Sequence, residues 1–191
     1  MTESRTCDVL IIGRGSAGLR AAIEAHDGGA HVLIISKSKL PHTTVARGGI
    51  NAALGTMDPE DSWMMHAADT LREGEYLADY ERVETLCKNA PDTINELVAW
   101  GARFHREKDG RLTQRFFGAH TYRRTVFYED WTGEEIVHVL LNQVNQRKIE
   151  IIDNVFITKL LESDDVNRRT SRKRSQRSNW YRYRKKRNCG I

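Results

Sequence analysis

Short apolar runs and one alanine-rich stretch set the frame of this chain. Val9-Leu10-Ile11-Ile12 and His31-Val32-Leu33-Ile34-Ile35 are brief, apolar and bounded by turn residues, which predicts strands of a buried parallel sheet. Between them, Leu19 to His26 carries apolar positions at helical spacing and stops at Gly28-Gly29. Strand, helix, strand is a βαβ unit. Near the other end, Ile136, Val137, Leu140, Leu141 and Val144 recur with helical period inside Glu134–Arg147, ahead of an apolar run Ile149–Ile152. That helix and strand complete a second βαβ return, which a right-handed crossover places beside the strand at 31–35. A further strand is predicted over Asn154–Leu161.

The middle of the chain reads as helices and a hairpin. Asp58-Pro59-Glu60-Asp61 puts a capping carboxylate, a proline at the first helical position and acids in the first turn, so a helix is expected from Asp58 to about Arg72, ending at Gly74. Two more helices are expected, Asp79–Lys88 and Pro91–Trp100, the second ended by Gly101. Trp63, Met64, Leu71, Leu86, Ile94, Leu97 and Trp100 fall at helical spacing and are read as core. Gly101–Gly118, with Asp109-Gly110 at its centre, predicts strand, turn and strand.

Between the first strand and its helix stands Gly13-Arg14-Gly15-Ser16-Ala17-Gly18, a G-x-G-x-x-G in the context that gives the pattern meaning. Gly13 permits the tight turn, Gly15 lets the backbone approach a pyrophosphate, and Gly18 lets the helix pack on the strand. The helix N-terminus behind Ser16 and Ala17 then favours the phosphates. The fold class is therefore α/β: a Rossmann-like βαβ domain with a parallel sheet, a helical excursion and a β-hairpin, built to bind a dinucleotide. A nicotinamide site usually ends the second strand with a carboxylate for the ribose. This chain has Ser36-Lys37 there, which argues against the standard NAD arrangement.

Beyond Lys37 runs His42-Thr43-Thr44-Val45-Ala46-Arg47-Gly48-Gly49-Ile50-Asn51-Ala52-Ala53-Leu54. On Ser36-Lys37 and this run the chain resembles the flavoprotein subunits of succinate dehydrogenase and fumarate reductase, with L-aspartate oxidase as their close relative. Arg47 departs from the glutamine or lysine common in that group. The resemblance implies FAD, held by Gly13, Gly15, Ser16, Ala17, Gly18, Ser36, Lys37, Thr43, Thr44, Ala46, Gly48 and Gly49. It further implies that His42, six residues before Gly48, links covalently to the flavin 8α-methyl. In aspartate oxidases a residue other than histidine usually stands there and the flavin is not linked.

Gln114-Arg115-Phe116-Phe117-Gly118-Ala119-His120-Thr121-Tyr122-Arg123-Arg124-Thr125 is similar to the family segment that runs beside the flavin. The resemblance makes Phe117 an aromatic wall of the dicarboxylate pocket and Val155 an adenine contact. His120, Arg123 and Arg124 suit acid–base or carboxylate-binding work, or a solvated basic loop, and no catalytic role is assigned to them. The family places its proton-donating arginine and its carboxylate-binding residues in a capping domain further along than residue 163.

Composition adds an asymmetry. The chain has 191 residues and a formal net charge of +4, but residues 164–191 hold eleven Lys/Arg against Asp164 and Asp165, so the preceding part is net acidic. The resemblance stops at about Ser163, which divides the chain into residues 1–163, the first part of an FAD-binding domain, and a basic segment 164–191. That segment lacks hydrophobic periodicity and is expected to be disordered. It reads as a nucleic-acid arm with Trp180, Tyr181 and Tyr183 among its cations, as a patch for anionic membranes, or as out-of-frame translation ending a longer gene. The last is favoured because the match breaks inside a sheet. Cys7, Cys87 and Cys189 are odd in number and widely spaced, which suggests neither a metal site nor a disulfide framework. No signal core precedes the first strand and no run reaches about eighteen apolar residues, so a cytoplasmic location is expected.

The function implied is succinate/fumarate interconversion by hydride transfer through FAD, in a truncated chain inactive alone. The partners implied are an iron–sulfur subunit, together with membrane-anchor subunits that give peripheral attachment to the cytoplasmic face of the membrane. No nucleic-acid partner is expected on that reading. An L-aspartate oxidase fragment is the enzyme alternative, and a non-catalytic protein using its basic segment on nucleic acid or membranes is the other.

Overall fold

A computed structural model describes residues 4–160 and 180–182 of the chain. In order, the elements are β1 Ser4–Thr6, β2 Val9–Ile12, α1 Ser16–Asp27, β3 Val32–Ile35, a 3-10 turn His42–Val45, β4 Ile50–Asn51, α2 Trp63–Glu73, α3 Tyr80–Ala99, β5 Gln114–Arg115, β6 Thr125–Val126, α4 Thr132–Gln146, β7 Glu150–Ile152 and β8 Trp180–Arg182. They divide into two compact units. One comprises the chain up to Pro41 and from Leu140 onward, the other His42–Val139.

The first unit is the expected parallel sheet. β3 lies between β2 and β7, with Leu10 opposite Leu33 and Ile34 opposite Ile151. All four residues of β3 are buried, as a central strand covered on both faces requires. Leu19, Ala22 and Ile23 of α1 are buried, while Leu33, Ile35 and Val155 form a core against which Cys7, Leu10, Ile152 and Ile157 pack. The strand expected over Asn154–Leu161 is absent through residue 160, and Leu161 lies outside the described residues. Val155 instead sends its N–H to Ser36 O at 3.0 Å, so the chain is fastened to the end of β3. In the segment expected to be disordered, Trp180–Arg182 pairs antiparallel with β1. The rest of that segment lies outside the described residues.

In the second unit β6 lies between β4 and β5, all antiparallel. The helix expected from Asp58 begins at Trp63, because Ser62 caps it by accepting from Met65 N–H. Asp58 is engaged elsewhere, by Arg123. The two helices expected on either side of Pro91 are one, Tyr80–Ala99. Val83, Cys87, Ile94 and Leu97 keep the same helical phase across the proline, and burial of that stripe outweighs the cost of one lost backbone bond. Met64 and Leu86, read as core, are exposed; Ile94 and Leu97 are buried. The hairpin around Asp109-Gly110 shrinks to a single bridge, Arg106 with Leu112, and β5 pairs with β6 instead. Among the described residues no helix is long and apolar enough to cross a membrane.

Candidate functional site

The glycine turn of the first unit takes the conformation its sequence demands. Gly13 sits at φ +105°, where a side chain would be strained, and its N–H donates to Ile35 O at 2.8 Å. Gly18 has no room for a methyl: a Cβ there would overlap the Gly13 carbonyl and lie 3.3 Å from Ile11 Cγ2. Gly15 is the N-cap of α1, with extended backbone and no side-chain cap. The helix that opens with Ser16, Ala17 and Gly18 therefore turns its positive end toward a Gly-lined backbone, a geometry suited to pyrophosphate.

One further contact holds this turn, and it is not signalled locally. Arg14, inside the glycine motif, donates twice from Nη1 to Asp153, at 2.9 and 2.8 Å, just after β7. Its Nε is buried without a hydrogen-bond partner. Ser36 is buried and turns its hydroxyl back to Ser38 O at 2.8 Å, while its N–H meets Ile152 O. Ser36 and buried Val155 are thus brought together through the Val155 N–H, whereas Lys37 is exposed. With no acid at the end of β3, the arrangement keeps the sequence argument against a standard NAD ribose contact.

In the second unit His42 opens the 3-10 turn with an exposed imidazole; Thr43 and Thr44 are half-buried and Ala46 is exposed. The turn is seated on the start of α4. Gly133 N–H donates to Ala46 O at 3.0 Å, and a Cβ on Gly133 would overlap the Thr43 carbonyl oxygen. Arg47 stacks on Trp131, 3.9 Å from the ring centroid, and donates to Asp130 O. Gly49 at φ +126° passes so close to Thr125 and Val126 that only glycine fits. Gly48 lies beneath the Phe117 ring, and Arg115 holds the Gly48 carbonyl at 2.9 Å while stacking on Phe127. Gly48 and Phe117, distant in sequence, are therefore in contact.

Neither a binding role nor a solvated loop fits the two arginines. Arg123 is bound by Asp58 through its side chain and its backbone N–H. Arg124 is fully buried, forked on Asp61 from Nε and Nη2 at 3.1 and 2.7 Å, and bonded to Asp69 from Nη1 at 2.8 Å. Asp69 also accepts from the Thr121 amide and hydroxyl, each at 2.8 Å, and from Arg72 at 2.6 Å. Burial pushes the Asp69 carboxyl up, but Thr121 and Arg124 outweigh it and hold it at about 2. These are structural ion pairs that anchor the segment after Phe117 to α2, through Asp69, and to the loop before it, through Asp58 and Asp61. His120 completes the group, 3.2 Å from Arg124 Nη1 through Nδ1 and 2.7 Å from Asn51 Nδ2 through Nε2. Asn51, His66, Phe117 and His120 line one open cavity of about 1160 Å³. His66 is buried with Nδ1 unpartnered, and desolvation, with Arg124 and His120 nearby, pushes it down to about 4. Sequence reasoning missed Asp61, His66, Asp69, Arg115, Gly133 and the Arg14–Asp153 pair.

Residues 8–186 match a known family, the FAD binding domain. The chain is 39% identical over 164 residues to the succinate dehydrogenase flavoprotein subunit of Rickettsia bellii, covering 81% of this chain and 27% of that protein. It is 39% identical over 166 residues to L-aspartate oxidase 2-b, chloroplastic, of Nicotiana tabacum, covering 85% and 25%. Its fold is similar to that of the Mycobacterium smegmatis Sdh1 complex in the apo form, with a TM-score of 0.79 and 38% identity over 83% of this chain and 29% of that one. The chain thus spans less than a third of the length of these relatives.

Proposed function

Because this chain belongs to the FAD binding domain family, we propose that it is the dinucleotide-holding part of an FAD-dependent oxidoreductase that interconverts succinate and fumarate. FAD, when bound, accepts or returns the two electrons of a carbon–carbon single-to-double bond conversion as a hydride. The single observation that supports the dinucleotide-holding role is the Gly13–Gly18 turn, with its left-handed Gly13, its methyl-excluding Gly18 and its uncapped helix; the succinate/fumarate part rests on the similarity to the Rickettsia bellii subunit. In that role Gly15, Ser16 and Ala17 present backbone to the pyrophosphate, and Ser36, Lys37 and Val155 flank the adenosine half. Thr43, Thr44, Ala46, Gly48 and Gly49 shape the flavin loop, and Phe117 forms a wall for the dicarboxylate. His42, exposed at the head of its turn, is the residue that bonds the flavin 8α-methyl. A flavin held in this way is the stronger oxidant that succinate requires.

Neither Arg123 nor Arg124 supplies a proton in this scheme, since both are consumed in ion pairs. Proton donation and carboxylate binding belong, on this reading, to the capping domain that the resemblance implies. An iron–sulfur subunit is the electron partner on this reading.

L-aspartate oxidase is the second reading, favoured by the similarity to the tobacco enzyme. Flavin fluorescence on a denaturing gel separates the two. A fluorescent band that vanishes in His42→Ala supports the covalent, succinate/fumarate reading, whereas FAD that binds the native chain but leaves the denatured band dark supports the oxidase.

A further inference from the structure

Gly48 and Phe117 are in contact across two loops, and each is followed three residues later by a partner in a second contact: Asn51 and His120. Arg115 fastens the two segments at the Gly48 carbonyl, before the ring, and the Asn51–His120 side-chain bond fastens them again beyond it. We propose that the His120–Asn51 bond is a staple that sets Phe117 against Gly48, and that His120 is a positioning residue and not an acid or base.

The staple works through one protonation state. Arg124 is forked on Asp61 and bonded to Asp69 with all three side chains fully buried, and its guanidinium can only donate. Its Nη1 faces His120 Nδ1 at 3.2 Å, which makes Nδ1 the acceptor and puts the single ring proton on Nε2. That N–H needs an acceptor. In the structure Asn51 Nδ2 faces Nε2 at 2.7 Å and Asn51 Oδ1 accepts from the Thr125 hydroxyl at 2.5 Å; with the carboxamide turned end for end, its oxygen accepts the Nε2 proton and its NH₂ donates to the Thr125 oxygen. With the amide in that turned orientation, the chain of bonds runs unbroken from Asp69 through Arg124, His120 and Asn51 to Thr125.

An imidazolium at this place would set one N–H against the guanidinium. Burial and then Arg124 push His120 below the usual histidine range, against the weaker pull of Asp69, Glu73 and Asp61. His66, edge-on at 5.9 Å, is itself neutral near pH 7 and adds no charge. The functional weight of the staple rests on the reading of Gly48 as flavin loop and Phe117 as substrate wall. Under it, the bond sets how far that wall stands from the flavin.

The test is NMR on the 191-residue chain with ¹⁵N-labelled histidine, with no flavin added. The expected spectrum shows His120 with one protonated nitrogen, Nε2, and no titration through the ordinary histidine midpoint of about 6.5. The Gly48 α-protons, under the Phe117 ring, are displaced upfield; Phe117→Leu gives the baseline without the ring. Asn51→Leu keeps the size of the side chain and removes the bond, and is expected to return the Gly48 resonances most of the way to that baseline. A proton on Nδ1, an ordinary titration of His120, or Gly48 resonances left in place in folded Asn51→Leu would each overturn the proposal. If Asn51→Leu fails to fold, the tautomer and titration of the unsubstituted chain still decide it. Failure of the chain to bind FAD would refute the flavin reading and leave all of these signals where they are.

Discussion

Arg124 donates from Nη1 to Asp69 Oδ2 at 2.8 Å, and neither side chain has any exposed surface. The two come from distant parts of the second unit's sequence, Asp69 on α2 and Arg124 just before β6. Their bond ties the segment that carries Phe117 to a helix. Taking one partner away strands a buried charge, so Arg124→Met is expected to destabilise the chain by about 3–5 kcal/mol. Arg124→Lys should also lose stability, because a point charge cannot serve Asp61 and Asp69 in the same fork. Urea denaturation of the variants checks both.

His66 makes stability depend on pH. Its folded value, about 4, lies below the usual 6.5. The unfolded chain therefore takes up a proton that the folded chain refuses, so stability is full above about pH 6.5 and falls as the pH drops toward 4. The loss grows to about 3 kcal/mol at the lower end. Asp69, held at about 2, acts in a separate window, and its contribution disappears only between about pH 4 and 2. Unfolding free energies at pH 7 and pH 5 should differ less in His66→Gln than in the unsubstituted chain.

Two glycine substitutions should behave differently. At Gly48 the obstacle is the end of the Phe117 ring, which is 52% exposed and can swing away. Gly48→Ala is therefore expected to cost little stability, about 1 kcal/mol, with Phe117→Ala in the same chain removing the cost. At Gly133 the obstacle is the backbone carbonyl of Thr43, which cannot move without unseating the turn that begins at His42. Gly133→Ala should lose several kcal/mol and, on the proposed function, the covalent flavin. Thermal melts and gel fluorescence separate the two.

Asp153→Asn tests the ion pair inside the glycine motif. Arg14 and Asp153 are 11% and 16% exposed, so the pair is largely removed from water. Without the carboxylate the turn loses its brace to β7, and FAD affinity is expected to fall about tenfold, a loss of ~1.4 kcal/mol in a titration.

What the sequence reveals here is the part whose signals are local. The glycine turn, α1, the order β2, β3, β7 and the helix before β7 follow from runs and periods that lie side by side. Pro91 misleads because its penalty is local, whereas the stripe Val83, Cys87, Ile94, Leu97 that overrides it gains its stability in packing. Asp58 looks like a helix cap until Arg123, 65 residues away, claims it. The Arg124–Asp61–Asp69 group, Gly133 under Thr43, and Arg14 with Asp153 are pairings across long separations, and nothing beside those residues announces them. His66 and Asp69 do stand three apart on one helix, a spacing that hints at a shared buried face.

Titration of FAD with the purified chain, followed by flavin fluorescence, asks whether the Gly13–Gly18 turn holds the dinucleotide. Binding at the Gly13–Gly18 turn predicts saturable quenching that Gly18→Ala abolishes, because the added methyl runs into the Gly13 carbonyl. Quenching that survives unchanged in Gly18→Ala would contradict the assignment of that turn to the dinucleotide.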